Sequence, residues 1–177
     1  IIGIASLQDV LAAFDAAGLP SQSDIDTTMN ADIGSLVAMQ NDDGTFSFWR
    51  RNDDVEPFNT VQVAHAFVLA RQQGYDVPDD AFERLLAAVS SIDAYIPSYY
   101  GETQRDAVRA YALWVLDLAG RSDSATAEAL YDERGDELGI DALAWIWGSI
   151  DDRSIRAEIE RTIGNRAIDT AGAAHFA

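Results

Sequence analysis

The feature that most constrains this chain is the spacing of its apolar residues. Along nearly all of its 177 residues, hydrophobic side chains return every three or four positions, the period of a helix with one face turned inward. Leu7, Val10, Leu11 and Phe14 make the first stripe, which ends at Gly18 and Pro20. A second predicted helix spans roughly 24–40 and carries Ile33, Leu36, Val37 and Gln40. A third starts near Pro57, carries Val63, Ala66, Phe67 and Ala70, and stops at Gly74. "DVPDD" restarts a helix, with Pro78 near its first turn and Phe82, Leu85, Leu86 and Val89 on the inner face. An aromatic-rich connection occupies 91–102. Thr103 is then expected to cap a helix that buries Val108, Tyr111, Ala112, Val115 and Leu116, with Leu113 and Trp114 on its other side and Gly120 at its close. "RSDSATAEALYDER" reads as a weaker helix. Leu143, Ile146, Trp147 and Ile150 mark the next, and Ile155, Ile159, Thr162 and Ile163 the last. About eight helices joined by short turns predict an all-α fold of antiparallel helical hairpins. Residues 165–177 lose the helical period and are expected to form an extended or loosely packed tail.

Charge and composition remove several kinds of function. Acidic residues outnumber basic ones 30 to 12, a formal net charge of −18. A nucleic-acid reader needs the opposite sign to displace counterions from phosphates, and an anionic membrane surface would repel this chain. With no cysteine there is no disulfide, no thiolate metal site and no cysteine nucleophile. No apolar run approaches the length needed to cross a bilayer. The opening "IIGIASLQDVLAAF" lacks a basic region and runs directly into helix periodicity, unlike a signal peptide.

The densest local signal is "QNDDGTFSFW", residues 40–49: an Asp-Gly turn between two predicted helices, followed by three aromatics. A calcium loop of the EF-hand kind needs oxygen ligands at fixed offsets from its glycine. Counting back from Gly44 gives Asp43, Asn41 and Met39, so the pattern fails. The "NDD" at 52–54 is expected to be a solvated turn. The two histidines, His65 and His175, stand far apart, and His65 is expected to pack within a helix rather than bind metal. The pairs Asp79/Asp80 and Asp151/Asp152, and the "DIDTT" at 24–28, are expected to precede helices and cap them. "DIDTT" also resembles faintly the acid motif of protonating terpene cyclases. No metal or cofactor is expected. The loop then reads as punctuation: Gly44 accepts positive φ, Asp43 bonds the backbone two residues on, Gln40 satisfies loop amides, and Phe46, Phe48 and Trp49 wedge between helices.

Gln-x-x-Asp-Gly-x-Phe-x-x-Trp between two helices resembles the repeat element of α/α-toroid proteins: terpene cyclases, protein prenyltransferase β subunits, and the thioester domains of complement and α2-macroglobulin proteins. The following residues, "FWRRNDDVEPFNTVQVAHAFVLARQQGYDVPDDAFERLL" (48–86), resemble bacterial α2-macroglobulins, with their Glu-Pro-aromatic, Thr-x-x-x-x-His-Ala and Gly-Tyr-Asp-Val-Pro. "IDAYIPSYYGETQRDAVRAYALWVLDLAG" and "NRAIDTAGAAHFA" match later parts of the same domain, so the resemblance covers essentially the whole chain.

The resemblance implies that residues 1–177 are part of a thioester-type α/α-toroid domain, cut at both ends and starting just after the family's Cys-x-Glu-Gln motif. In that family a bait segment is cleaved, the protein rearranges, and the thioester acylates a lysine of the attacking protease. Without cysteine this chain cannot form that bond, so the resemblance implies a non-catalytic piece of a protease inhibitor, periplasmic or secreted. Its partners would be target proteases and the other macroglobulin-type domains. Gln40, Asp43, Gly44, Trp49 and Pro57 match family positions and are expected to have scaffold roles. The alternative is a toroid enzyme acting on isoprenoids or carbohydrates through carboxylates. Cut ends would also leave apolar edges open to self-association, at Leu7, Val10, Leu11 and Phe14 and at Ile155, Ile159 and Ile163.

Overall fold

The computed structural model describes residues 1–6, 20–170 and 173–176, the final strand pair by its backbone. The all-α expectation holds. After a helical segment at residues 2–6, the helices are α1 (Gln22–Met39), α2 (Pro57–Gln72), α3 (Asp79–Ser90), α4 (Glu102–Leu118), α5 (Ser124–Arg134), α6 (Ile140–Ser149) and α7 (Arg153–Arg166), with a 3-10 turn at Ile92–Tyr95. The stripe through Leu7, Val10, Leu11 and Phe14 lies outside the described residues. At the end of the chain, β1 (Ala167–Thr170) pairs antiparallel with β2 (Ala173–Phe176), Ile168 opposite His175.

Two compact units divide the chain, Ile1–Ser91 and Ile92–Ala177. In the first, α1 buries Ile25, Met29 and Ile33. Its start is fixed by a capping box: Ser21 Oγ accepts from the Asp24 N–H, and Asp24 Oδ2 accepts from the Ser21 N–H, each at 3.2 Å. "DIDTT" therefore lies inside the first turns of α1 rather than before it, with Asp24 closing the box. α2 packs on α3, with Val61, Ala64 and Phe67 of one and Phe82, Leu85, Leu86 and Val89 of the other buried. Between them Arg71 donates to the Val77 carbonyl at 2.6 Å and lies 4.0 Å over the Phe82 ring.

In the second unit α4 packs closely on α6, and α5 and α7 complete the core. Leu113, Leu130, Leu138, Leu143, Ile146 and Ile159 are among its buried residues. α4 does bury two faces: Val108, Ala112 and Val115 on one stripe, and Leu113 on another. Tyr111 stacks on Trp145 with ring centroids 4.5 Å apart, and burial pushes its phenol pKa up to about 12. The helix begins at Glu102, with Gly101 as its cap and the Gln104 side chain accepting from the Gly101 N–H at 3.2 Å. Thr103 is thus inside the first turn and does not cap it.

The edge expected at Ile155, Ile159 and Ile163 is closed within its own unit. Ile159 is fully buried, and Ile155 and Ile163 pack partly buried against the same core. The helical period accounts for this: the three residues lie on one face of α7, and α6 already covers that face.

Candidate functional site

The connection between α1 and α2 holds the least ordinary residues of the sequence, and it has two unlike halves. The first half is buried: Gln40, Asn41, Thr45 and Phe46 are each at most 5% exposed. Gln40 caps the end of α1, and its Nε2 donates to the carbonyls of Gly44 at 3.2 Å and Ala81 at 2.9 Å. Its Oε1 accepts from Arg84 Nη2 at 3.0 Å. One amide side chain therefore ties α1, the turn and α3 together.

Gly44 is required there twice over. Its φ is +90°, and a Cβ built on it would stand 2.3 Å from the Arg84 carbonyl oxygen. Asp43 Oδ1 accepts from the Thr45 N–H at 3.0 Å and from its hydroxyl at 2.6 Å, the local turn expected of an aspartate at this place. The Phe46 N–H donates to Thr60 Oγ1 at 3.0 Å, and the Phe46 carbonyl accepts from the Glu56 N–H at 2.9 Å. Pro57 is the first residue of α2, where its missing N–H is no loss.

The second half faces water. Phe48 is 57% exposed and Trp49 78%, their rings edge to face at 4.6 Å. This corrects the expected wedge: Phe46 goes inward, and Phe48 and Trp49 do not. The cause lies at the loop's base. Ser47 bridges Val55, and the Ser47 hydroxyl donates to the Asp53 carbonyl at 2.8 Å. Asn41 Nδ2 donates to Thr45 Oγ1 at 2.9 Å and Ser47 Oγ at 3.1 Å, while its Oδ1 accepts from the Asn52 N–H at 2.6 Å. Asn52 has φ 63°, so the chain reverses there. These bonds close the loop at 47 and 55 and carry residues 48–54 outward, where each is exposed.

Several other ionisable groups have structural partners. Asp42 pairs with Arg51 across the loop. Asp79 and Asp80 begin α3 but do not cap it, since Pro78 holds the cap position. They pair instead with Arg71 at 2.6 Å and Arg84 at 2.9 Å, and the Arg84 hydrogen bond holds the Asp80 carboxyl below its usual range. Asp152 does cap α7, accepting from the Ser154 and Ile155 N–H groups, and bonds from Ser154 lower its pKa. His65 is half-buried, and burial lowers its pKa. Among the described residues, the buried carboxylate is Asp106, which Arg134 contacts at 3.1 Å. No group of three His, Cys, Asp or Glu side chains among them is placed to hold a metal ion. An open groove of about 500 Å³ is lined by Ile1, Ile2, Leu36 and Val63, with the Asp32 carboxylate also on its wall.

Sequence reasoning singled out Gln40, Asp43, Gly44 and Pro57, but Gln40 bonds two carbonyls and a guanidinium rather than the loop amides expected of it, and the residues that complete the latch were missed. Asn41, Thr45 and Thr60 are short polar residues in or beside a buried turn. Their partners lie up to fourteen residues away, and no periodicity announces that.

These helices, with their turn locked by buried polar side chains, define a structural segment of the all-α class. No family profile matches the sequence. Over 139 residues, 74% of the chain, it is 32% identical to alpha-2-macroglobulin of Escherichia coli K12, and over 109 residues, 58% of the chain, 31% identical to alpha-2-macroglobulin of Xylella fastidiosa Temecula1. Two solved structures share the fold. Native E. coli alpha-2-macroglobulin, from domain MG7 to the C-terminus, superposes with a TM-score of 0.73 at 22% identity over 91% of this chain and 27% of that one. The trypsin-activated form of the E. coli protein gives 0.66 at 25% identity, over 75% of this chain and 10% of that one. The chain belongs to the bacterial alpha-2-macroglobulin family, as a segment spanning 8% of the length of the E. coli relative.

Proposed function

We propose that this chain is a scaffold segment of a protease-trapping protein of the alpha-2-macroglobulin kind, one partial α/α-toroid domain of thioester type without catalysis of its own. Homology over most of the chain supports this reading, and one of the related structures is described as trypsin-activated. The observation that carries the scaffold role is the Gln40 latch. Its donors and acceptors are spent on Gly44, Ala81 and Arg84, so they fix helices and leave nothing to polarise a substrate. The partners are then proteases and the neighbouring domains of the parent protein, and the setting is extracytoplasmic. No helix among the described residues is long and apolar enough to cross a membrane.

The test uses the whole gene product with trypsin. Trapping predicts that trypsin added in stoichiometric amount still cleaves a small chromogenic peptide while its attack on a large protein substrate falls sharply. Undiminished cleavage of the large substrate contradicts the reading. The coding sequence ahead of Ile1 gives an independent check on the thioester assignment: Cys-x-Glu-Gln directly upstream supports it, and another sequence there removes it.

A further inference from the structure

The chain is short of cations to an unusual degree, and the arrangement of the few it has shows that shortage. All twelve of its basic residues are arginine, set against thirty carboxylates, so eighteen negative charges remain even if every arginine neutralises one. Among the described acidic side chains only Asp106 is buried, so the surplus lies on the surface. α1 carries Asp24, Asp26 and Asp32 and no basic residue at all. Elsewhere one guanidinium serves several acids. Arg134 contacts Asp106 at 3.1 Å, Glu102 at 2.8 Å and Glu137 at 2.7 Å, and Arg109 reaches both Asp93 and Asp106. The planar fork of arginine, with its five donors, permits this sharing where an ammonium would be a single point charge.

Like charges at this density oppose compaction, because unfolding lets them separate. Screening is the remedy available from outside the chain. The distance over which exposed charges act falls from roughly 8 Å at physiological ionic strength to about 3 Å at 1 M. We propose that this protein is built to fold and work in a strongly saline medium, and that its folded state draws stability from a diffuse cation atmosphere up to about molar salt. No bound ion is involved, so sodium and potassium serve alike. This inference rests on charge and not on the protease-trapping reading, and either can fail alone.

The experiment is a series of thermal melts of the 177-residue chain at neutral pH, in NaCl and in KCl from 0.05 to 2 M. The midpoint should rise by about 10 °C or more across the range, equally in the two salts. A second protein carries Asp53→Asn, Asp54→Asn, Asp76→Asn, Asp132→Asn and Glu133→Gln, all at exposed positions. It should melt above the parent at 0.05 M and converge with it at 2 M. A midpoint that stays within about 2 °C from 0.05 to 2 M overturns the proposal. So does a neutralised variant that keeps the parent's full salt slope, since salt would then act on apolar surface and not on charge. A response confined to one cation would replace the diffuse atmosphere with a specific site and contradict the proposal as well.

Discussion

Residues 40–46 and residues 48–54 are adjacent in sequence and similar in content, each rich in Asn and Asp with aromatic residues in or beside it, yet they meet opposite fates. The first run is a latch within the protein, and the second is a loop in water. What separates them is not hydrophobicity, since Trp49 is larger than Phe46 and equally apolar in body. It is where the backbone hydrogen bonds go. Phe46 has its N–H on Thr60 and its carbonyl on the Glu56 amide, which holds its ring inside. At Ser47 the chain pairs with Val55 and turns away, and the next two aromatics go with it. A buried polar network therefore decides the placement of apolar side chains.

The contrast can be broken by substitutions, and Phe46→Ala should do most damage. Truncating a fully buried phenylalanine should cost about 3–5 kcal/mol in urea unfolding. Gly44→Val comes next. It meets both the strain of positive φ for a branched residue and the Arg84 carbonyl, and should destabilise by about 2–4 kcal/mol. Gln40→Ala removes the amide that joins the Gly44 and Ala81 carbonyls to Arg84, a loss of about 1–3 kcal/mol by the same measurement. Smallest is Trp49→Ala, within about 0.5 kcal/mol of the parent, because its ring is already in water. A Trp49 effect approaching that of Phe46 would show that the loop folds back onto the helices and that the two halves are one element.

The helical faces were legible because the 3.6-residue period directly encodes which side is buried. Phe82, Leu85, Leu86 and Val89 were identified from spacing alone and are all buried. Gly44 and Asp43 were legible too, because turn chemistry is local. Spacing carries no information about Phe46 against Trp49. In a loop the inward side depends on which amides are satisfied, and the residues satisfying them, Thr60 and Asn41, are set by the fold. The starts of α3 and α4 show the same limit. Asp79 and Thr103 have capping chemistry, but backbone geometry puts Pro78 and Gly101 at the caps. The short β1–β2 pair escaped notice because four-residue, alanine-rich strands offer too few alternations to stand out.

Amide hydrogen exchange on the unmodified chain reads both halves in one experiment and tests their separation most directly. The N–H groups of Asn41, Phe46 and Glu56, bonded to Thr45, Thr60 and Phe46, should be protected to the level of the adjoining helices. Those of Trp49 and Arg50 should exchange at close to the rate of an unstructured peptide. Protection at Trp49 and Arg50 equal to that at Phe46 would contradict the division into latch and loop.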